Sequence, residues 1–89
     1  MELKLLELIR GCEEYLDKES VDEVMHFYRH GEYEMALEGL IIEMIKVQKY
    51  PKNYTADSIN DLVLYYHLNV ESVFDYCFWE KFEKWISKN

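Results

Sequence analysis

The chain has 89 residues, 49% of them apolar, with only three glycines and one proline. A chain of this length forms one domain, and this content of core-forming side chains excludes a disordered protein. The formal net charge is −8, and residues 1–43 carry all of it, because the six acidic and six basic side chains of residues 44–89 cancel. This regional excess of carboxylates favours a partner with a basic surface, although an ordinary acidic cytosolic protein is an alternative explanation.

The hydropathy pattern predicts neither a membrane span nor a signal peptide. No apolar run approaches about 18 residues, and the first residues lack a basic head followed by an uninterrupted apolar stretch. We therefore expect a cytoplasmic protein. Cys12 and Cys77 lie far apart at positions typical of a helix core, so we predict free, buried thiols rather than a disulfide.

The apolar spacing predicts an all-α fold, a compact bundle of about five helices in which residues 1–89 form a single helical domain. The first helix has an apolar face made of Leu5, Leu8, Ile9, Cys12, Tyr15 and Leu16. Ser20 and Glu23 have the spacing of a capping box, which predicts the start of the second helix. Gly31 can adopt the left-handed conformation that ends this helix.

The third helix, predicted from Glu32 to about Gln48, is the most apolar element. Its inward stripe contains Tyr33, Ala36, Leu37, Leu40, Ile41, Met44 and Val47. Met35 and Ile42 lie on the opposite side, next to Glu38. This second apolar face is either covered by other helices or exposed as an anchor patch rimmed by carboxylates.

Two further helices are predicted after the only proline, Pro51. Thr55 or Ser58 caps the fourth helix, and Asn69 caps the last one. The fourth has a face of Ile59, Leu62, Val63 and Tyr66, and the last repeats Val70, Val73, Phe74, Cys77, Phe78, Lys81, Phe82 and Trp85 at helical spacing. The sequence contains neither the sustained alternation nor the hairpin turns that predict strands.

The groups that catalysis requires are sparse in this sequence. His26 and His30 stand four residues apart, and Asp22 or Glu34 could complete a metal site, but this spacing is common by chance and we predict no metal. No phosphate-binding glycine loop, nucleophile elbow or Cys-x-x-Cys motif is present. Adjacent carboxylates on exposed helices lack the desolvation that separates an acid from a base. We therefore predict a protein that is not an enzyme and binds no cofactor.

A helix-turn-helix regulator is the alternative reading of residues 62–74. This arrangement places Glu71, Ser72 and Asp75 at the start of the recognition helix, where they are poor partners for phosphate. Nucleic-acid binding also draws on lysines and arginines that a chain of net charge −8 lacks. A basic patch would favour this alternative if the fold assembled Lys46, Lys49, Lys52, Lys81 and Lys84. An acidic helical adaptor is a further alternative.

The second and third helices carry a recognisable local pattern. Residues 24–40 read Val-Met-His-Phe-Tyr-Arg-His-Gly-Glu-Tyr-Glu-Met-Ala-Leu-Glu-Gly-Leu and follow an acidic stretch at residues 13–16. With its core Gly-Glu-aromatic-x-x-Ala-Leu-Glu, the region of residues 10–45 resembles the MafI family of small bacterial immunity proteins. The resemblance implies an antidote that binds the toxic C-terminal domain of a polymorphic secreted toxin, often a nuclease, including toxins of contact-dependent growth inhibition. It also implies that Glu32, Glu34 and Glu38 lie on or near the partner.

Charge, the apolar back face and the resemblance together predict a partner-binding surface on the acidic half of the chain. Its predicted residues are Asp22, Glu23, Tyr28, Glu32, Glu34, Met35, Glu38 and Ile42. The carboxylates would meet basic subsites of a toxin nuclease, and the apolar side chains would act as anchors. The last two helices would serve as scaffold.

Overall fold

The computed structural model describes residues 1–88, which form one globule of five α-helices without strands, as the sequence predicts. The helices are α1 (Glu2–Cys12), α2 (Lys18–Arg29), α3 (Tyr33–Val47), α4 (Ala56–Tyr65) and α5 (Phe78–Ser87). A 3₁₀ turn at Glu13–Tyr15 follows α1, so this helix ends earlier than predicted. The globule measures 27 × 25 × 21 Å. Within the described residues, no helix is both long and apolar enough to cross a membrane.

Helix α3 is the central element, and it packs against α1, α2 and α5. Its predicted inward stripe is largely confirmed, because Ala36, Leu37, Leu40, Ile41 and Met44 are all buried. Val47 at the end of the stripe is 41% exposed. Each large apolar side chain buried here stabilises the fold by about 1.5–3 kcal/mol before the entropy of ordering it is counted. Phe78 and Phe82 of α5 close the core from the other side.

Two of the helices, α2 and α4, begin at a side-chain cap. Thr55 caps α4, accepting a hydrogen bond from the Ser58 amide at 3.1 Å. The predicted capping box of α2 is wrong, because Asp17 is the N-cap and accepts from the Ser20 amide at 2.8 Å. Ser20 lies inside the first turn, and its hydroxyl donates to Glu43 at 3.0 Å. The serine therefore links α2 to α3.

Three helices end in the same way, with a left-handed residue followed by a reversal of the chain. Gly31, Gln48 and His67 have φ values of 74°, 57° and 61°. In each case the next amide bonds to a carbonyl five residues back, as in the pair Leu68 to Val63 at 3.0 Å. The sequence predicts this ending only at Gly31, because glutamine and histidine rarely adopt positive φ.

The prediction that Asn69 begins the last helix is wrong. The left-handed residue His67 turns the chain away at the end of α4, and α5 begins only at Phe78. Between them, the backbone amides of residues 73–75 donate to the Glu38 carboxylate instead of forming helical hydrogen bonds. A long-range contact therefore overrides a local pattern that has helical spacing.

Candidate protein-binding surface

A groove of about 380 Å³ runs between α2 and α3. Its floor is apolar and consists of Val24, Phe27, Gly39, Ile42 and Phe74. Its walls carry the charged and polar side chains Asp17, Glu19, Ser20, Glu23, Glu43 and Lys46. An apolar floor between acidic walls can receive a side chain that is itself apolar while its neighbours are cationic.

The carboxylates of this groove are not equivalent. Glu43 pairs with Lys46 at 3.1 Å and accepts from Ser20, and Asp17 is engaged as the cap of α2. The hydrogen bond from the Ser20 amide lowers the pKa of Asp17 below its usual value. Glu19 and Glu23 are exposed and form no ion pair within residues 1–88. These two carboxylates are the ones that a cationic partner can approach without breaking an existing contact.

Glu38 is fully buried, so the prediction that its carboxylate lies on the partner surface is wrong. Its oxygens accept hydrogen bonds from the amides of Val73, Phe74 and Asp75 at 2.7, 2.8 and 3.0 Å. Successive backbone N–H groups that converge in this way form an anion-binding concavity. They compensate the large cost of removing a carboxylate from water. Glu38 therefore holds a loop in place.

This loop, residues 70–76, presents apolar side chains to solvent, and we call it the docking loop. The exposed fractions are 73% for Val70, 48% for Val73, 48% for Phe74 and 95% for Tyr76. Phe74 also lines the groove, where its ring centroid lies 5.6 Å from that of Phe27. The docking loop and the groove are therefore continuous.

Asp75 anchors the far end of the docking loop. Its carboxylate accepts from the Cys77 amide at 2.8 Å and from the Lys81 ammonium at 2.6 Å. The Lys81 contact, followed by the Cys77 amide, lowers the pKa of Asp75, and the same ion pair raises the pKa of Lys81. Two carboxylates, one below the loop and one within it, thus hold this segment against α3 and α5.

The other predicted site residues are divided among three places. Glu23 and Ile42 line the groove, and Met35 is half-buried on the same helix as Ile42. Glu32 and Glu34 are exposed at the start of α3, outside the residues that line the groove. The structure therefore brings two of the predicted residues together with the docking loop.

Asp22 and Tyr28 take part in contacts within the protein. Asp22 is exposed and pairs with Lys18 at 3.0 Å. Tyr28 is half-buried, donates its hydroxyl to the backbone carbonyl of Glu2 at 3.1 Å, and packs against Tyr33 with ring centroids 5.3 Å apart. Tyr28 thus links α2 to the start of α1, which supports the fold whether or not a partner also contacts the ring.

Sequence reasoning assigned the docking loop to a scaffold helix. Residues 66–77 contain neither glycine nor proline, the strongest loop signals, and their turn-forming residues Asn69, Ser72 and Asp75 do not form a cluster. Val70, Val73 and Phe74 also repeat at helical spacing. The one available signal was Glu38, a charged residue within the most apolar helix, which indicates a buried carboxylate that needs donors from elsewhere in the chain.

Comparison of the chain with protein-family models, with curated proteins and with solved structures finds no match in any of the three. The resemblance to MafI-type immunity proteins therefore stays a prediction, and function is inferred from the surface described above.

A second groove, of about 450 Å³, collects basic side chains at the end of α3 and along α5. It is lined by Ile45, Gln48, Lys81, Lys84, Trp85 and Lys88. Lys81 is already paired with Asp75, as Lys46 is with Glu43. The five-lysine patch that would favour a helix-turn-helix regulator is thus only partly assembled. The recognition helix predicted after Asn69 is not formed either, since residues 69–77 lie outside any α-helix.

The histidines and cysteines form no assembled reactive site in the described part of the chain. The rings of His26 and His30 have centroids 4.3 Å apart, and Nδ1 of His30 lies 2.8 Å from the backbone oxygen of His26. Among residues 1–88, no group of three or more His, Cys, Asp or Glu side chains could hold a metal ion. Both cysteines are free, as predicted, although Cys77 is only half-buried. Burial raises the pKa of Cys12 to about 12.

Proposed function

We propose that this protein is a cytoplasmic, non-enzymatic immunity protein that neutralises a cognate basic toxin domain. The toxin class that fits is a nuclease of a polymorphic or contact-dependent growth inhibition system. The single observation that carries the proposal is the acidic groove with an apolar floor, in which Glu19 and Glu23 lack ion-pair partners among the described residues. Binding would cover the active site or the substrate-binding surface of the toxin.

The chemistry of nucleases supports this choice of partner. An enzyme that cleaves nucleic acid needs lysines and arginines to bind phosphates, so its substrate surface has a positive potential. Carboxylates fixed on helices can occupy such basic subsites in place of phosphates. Charge complementarity of this kind raises association rates by about 10–1,000-fold over a neutral encounter.

Tight binding of the toxin domain needs apolar contacts as well as charge complementarity. Interfaces gain most of their binding energy from a few apolar or aromatic anchors that lose their water at the centre of the contact. Ile42 and Phe74 in the floor of the groove have this position, between Glu23 on one helix and Glu43 on the other. Steering by charge and retention by anchors together describe an inhibitor that associates fast and dissociates slowly.

The proposed function predicts that the neighbouring gene encodes a secreted toxin with a variable C-terminal domain, and it is tested by co-expression with that domain. We expect the chain to restore growth, to co-purify with the toxin domain, and to abolish cleavage of nucleic acid when it is added to the purified toxin. The double variant Glu19→Ala/Glu23→Ala should protect less well, whereas Lys84→Ala in the second groove should protect normally. Growth arrest that persists with equal amounts of both folded proteins would refute the proposal.

A further inference from the structure

We infer that the docking loop and the groove form one surface that binds a cationic amphipathic segment of the partner. In this arrangement an aliphatic or aromatic side chain lies on Val73 and Phe74, and flanking lysines or arginines meet Glu19 and Glu23. The inference rests on the proposed function for the identity of the partner. It assigns to the C-terminal half of the chain a binding role that its charge balance does not suggest.

The first argument is the concentration of exposed apolar side chains in the docking loop. Single exposed apolar residues are ordinary on protein surfaces. Here four of them fall within seven consecutive residues, Val70, Val73, Phe74 and Tyr76. Exposed apolar side chains concentrated in one short segment indicate an interaction site more often than a feature of folding.

The second argument is that the loop is preorganised. Glu38 binds three consecutive amides, and Asp75 binds both the Cys77 amide and Lys81. A fully buried carboxylate that fixes an otherwise solvent-exposed segment costs the fold free energy which a simple apolar core would not require. A loop held in one conformation loses little entropy when a partner binds. Glu38 is therefore a positioning residue for binding.

The third argument is charge, which determines the occupant. The acidic side chains beside Phe74 include Glu19 and Glu23, which have no ion pair within residues 1–88, whereas Lys46 is neutralised by Glu43. Glu71, on the docking loop itself, is also exposed. An anionic segment would be repelled at every one of these positions, and a neutral segment would form no ion pairs with the carboxylates. A cationic segment with an apolar face satisfies both parts of the surface.

The inference is tested with synthetic peptides and the ¹⁵N-labelled full chain. The probe is an amphipathic peptide of lysine and leucine, compared with a lysine and serine peptide of equal charge and with a glutamate and leucine peptide. We expect saturable binding of the lysine and leucine peptide alone, with amide shifts concentrated at residues 70–76, Gly39 and Ile42. Shifts at another face, equal binding of the lysine and serine peptide, or absence of binding would each overturn the inference.

Matched variants distinguish binding at the docking loop from non-specific binding to exposed apolar side chains. Val70 and Leu3 are both 73% exposed, but only Val70 belongs to the docking loop. We expect the double variant Val70→Ser/Phe74→Ser to bind the lysine and leucine peptide about tenfold more weakly, and Leu3→Ser to bind it normally. Equal affinities of these two variants would overturn the inference, and retained helical circular dichroism would establish that both are folded.

A further variant tests the positioning role of Glu38. Glu38→Gln replaces one of the two carboxylate oxygens with an NH₂ group. This group is a donor, and it would face backbone N–H groups that are also donors. We expect hydrogen exchange of the Val73, Phe74 and Asp75 amides to accelerate, and peptide affinity to fall without a change in the exposed side chains. Glu14→Gln, an exposed control, should change neither quantity. Faster exchange with undiminished affinity would refute the positioning role. No toxin is present in these experiments, so their failure is separable from failure of co-expression.

Discussion

At the scale of single residues, polar groups of Glu38, Tyr66 and Cys12 are buried in the core in different situations. The Glu38 carboxylate is compensated by three backbone amides. The Tyr66 hydroxyl is buried and has no hydrogen-bond partner within residues 1–88, and the Cys12 thiol is buried in the hydrophobic core. The Tyr66 hydroxyl and the Cys12 thiol are weak acids that are neutral near pH 7. Because both are buried, the stability of the fold should fall at alkaline pH, where they lose their protons.

The alkaline dependence follows from raised pKa values. Burial raises the pKa of Cys12 from 9.0 to about 12, and burial, aided by Tyr65 and Glu2, raises that of Tyr66 from 10.0 to about 12. Both groups lose their protons more readily in the unfolded chain. Their stabilising contribution is therefore complete below the unfolded pKa and is lost as pH rises through the folded pKa.

We expect the free energy of unfolding, measured with urea, to fall as pH rises from about 9 towards 12. Cys12 alone contributes a slope of about 1.4 kcal/mol per pH unit in this window. Cys12→Ala and Tyr66→Phe should each flatten the profile, whereas Tyr76→Phe, a change at a 95% exposed side chain, should not. A profile for Cys12→Ala as steep as that of the unmodified protein would contradict the assignment.

At the scale of the helices, glycine has opposite roles at two positions. Gly31 has φ of 74° and ends α2, where a side chain strains the backbone. Gly39 lies inside α3, and a Cβ built there would stand 3.8 Å from the Phe74 ring, an ordinary van der Waals distance. The first glycine is required by its conformation, and the second costs the helix free energy without a conformational need.

The same substitution should therefore change stability in opposite directions. We expect Gly31→Ala to lower the free energy of unfolding by about 1 kcal/mol, because alanine is strained in the left-handed region. Gly39→Ala should raise it by up to about 1 kcal/mol through helix propensity. Thermal unfolding followed by circular dichroism measures both. Destabilisation by Gly39→Ala would mean that the Phe74 ring lies tighter on α3 than the distance indicates.

Helices were predicted correctly where residues close together in the sequence determine them. The spacing of Leu5, Leu8 and Ile9 sufficed to predict α1, and Thr55, one of two predicted caps, begins α4. Prediction failed for residues 69–77, which have helical spacing, because the amides of residues 73–75 donate to Glu38 on another helix. Local patterns do not report a hydrogen bond between residues 35 or more positions apart.

At the scale of the whole molecule, the acidic half and the neutral half meet at one surface. The groove takes Glu19 and Glu23 from α2, Ile42 from α3 and Phe74 from the docking loop. The net charge of −8 resides in residues 1–43, yet exposed apolar anchors come largely from residues 70–76. In the proposed complex, the carboxylates that attract the partner belong to the first half of the chain, and most of the apolar side chains that retain it belong to the second half.

This division predicts a kinetic signature for the binding of a basic toxin domain. Glu19→Lys/Glu23→Lys should lower the association rate at least about tenfold in low salt, with little difference from the unmodified protein in high salt. Glu80→Lys/Glu83→Lys on α5 makes the same change in net charge and serves as the control. Stopped-flow mixing measures both. Equal slowing by the two variants would show that net charge, rather than the groove, steers association.

The candidate site was predictable only in part, for the same reason as the fold. Glu23 and Ile42, predicted from charge and amphipathic spacing, both line the groove, whereas Glu38 was placed on the surface and is buried. Sequence by itself determined the helical class, the apolar character of the third helix and the acidic character of the first half, since these depend on local periodicity and composition. Only tertiary structure decided that Glu38 holds residues 73–75 and that Phe74 reaches the acidic groove. The physical reason is that a buried carboxylate must find donors wherever the packed chain offers them.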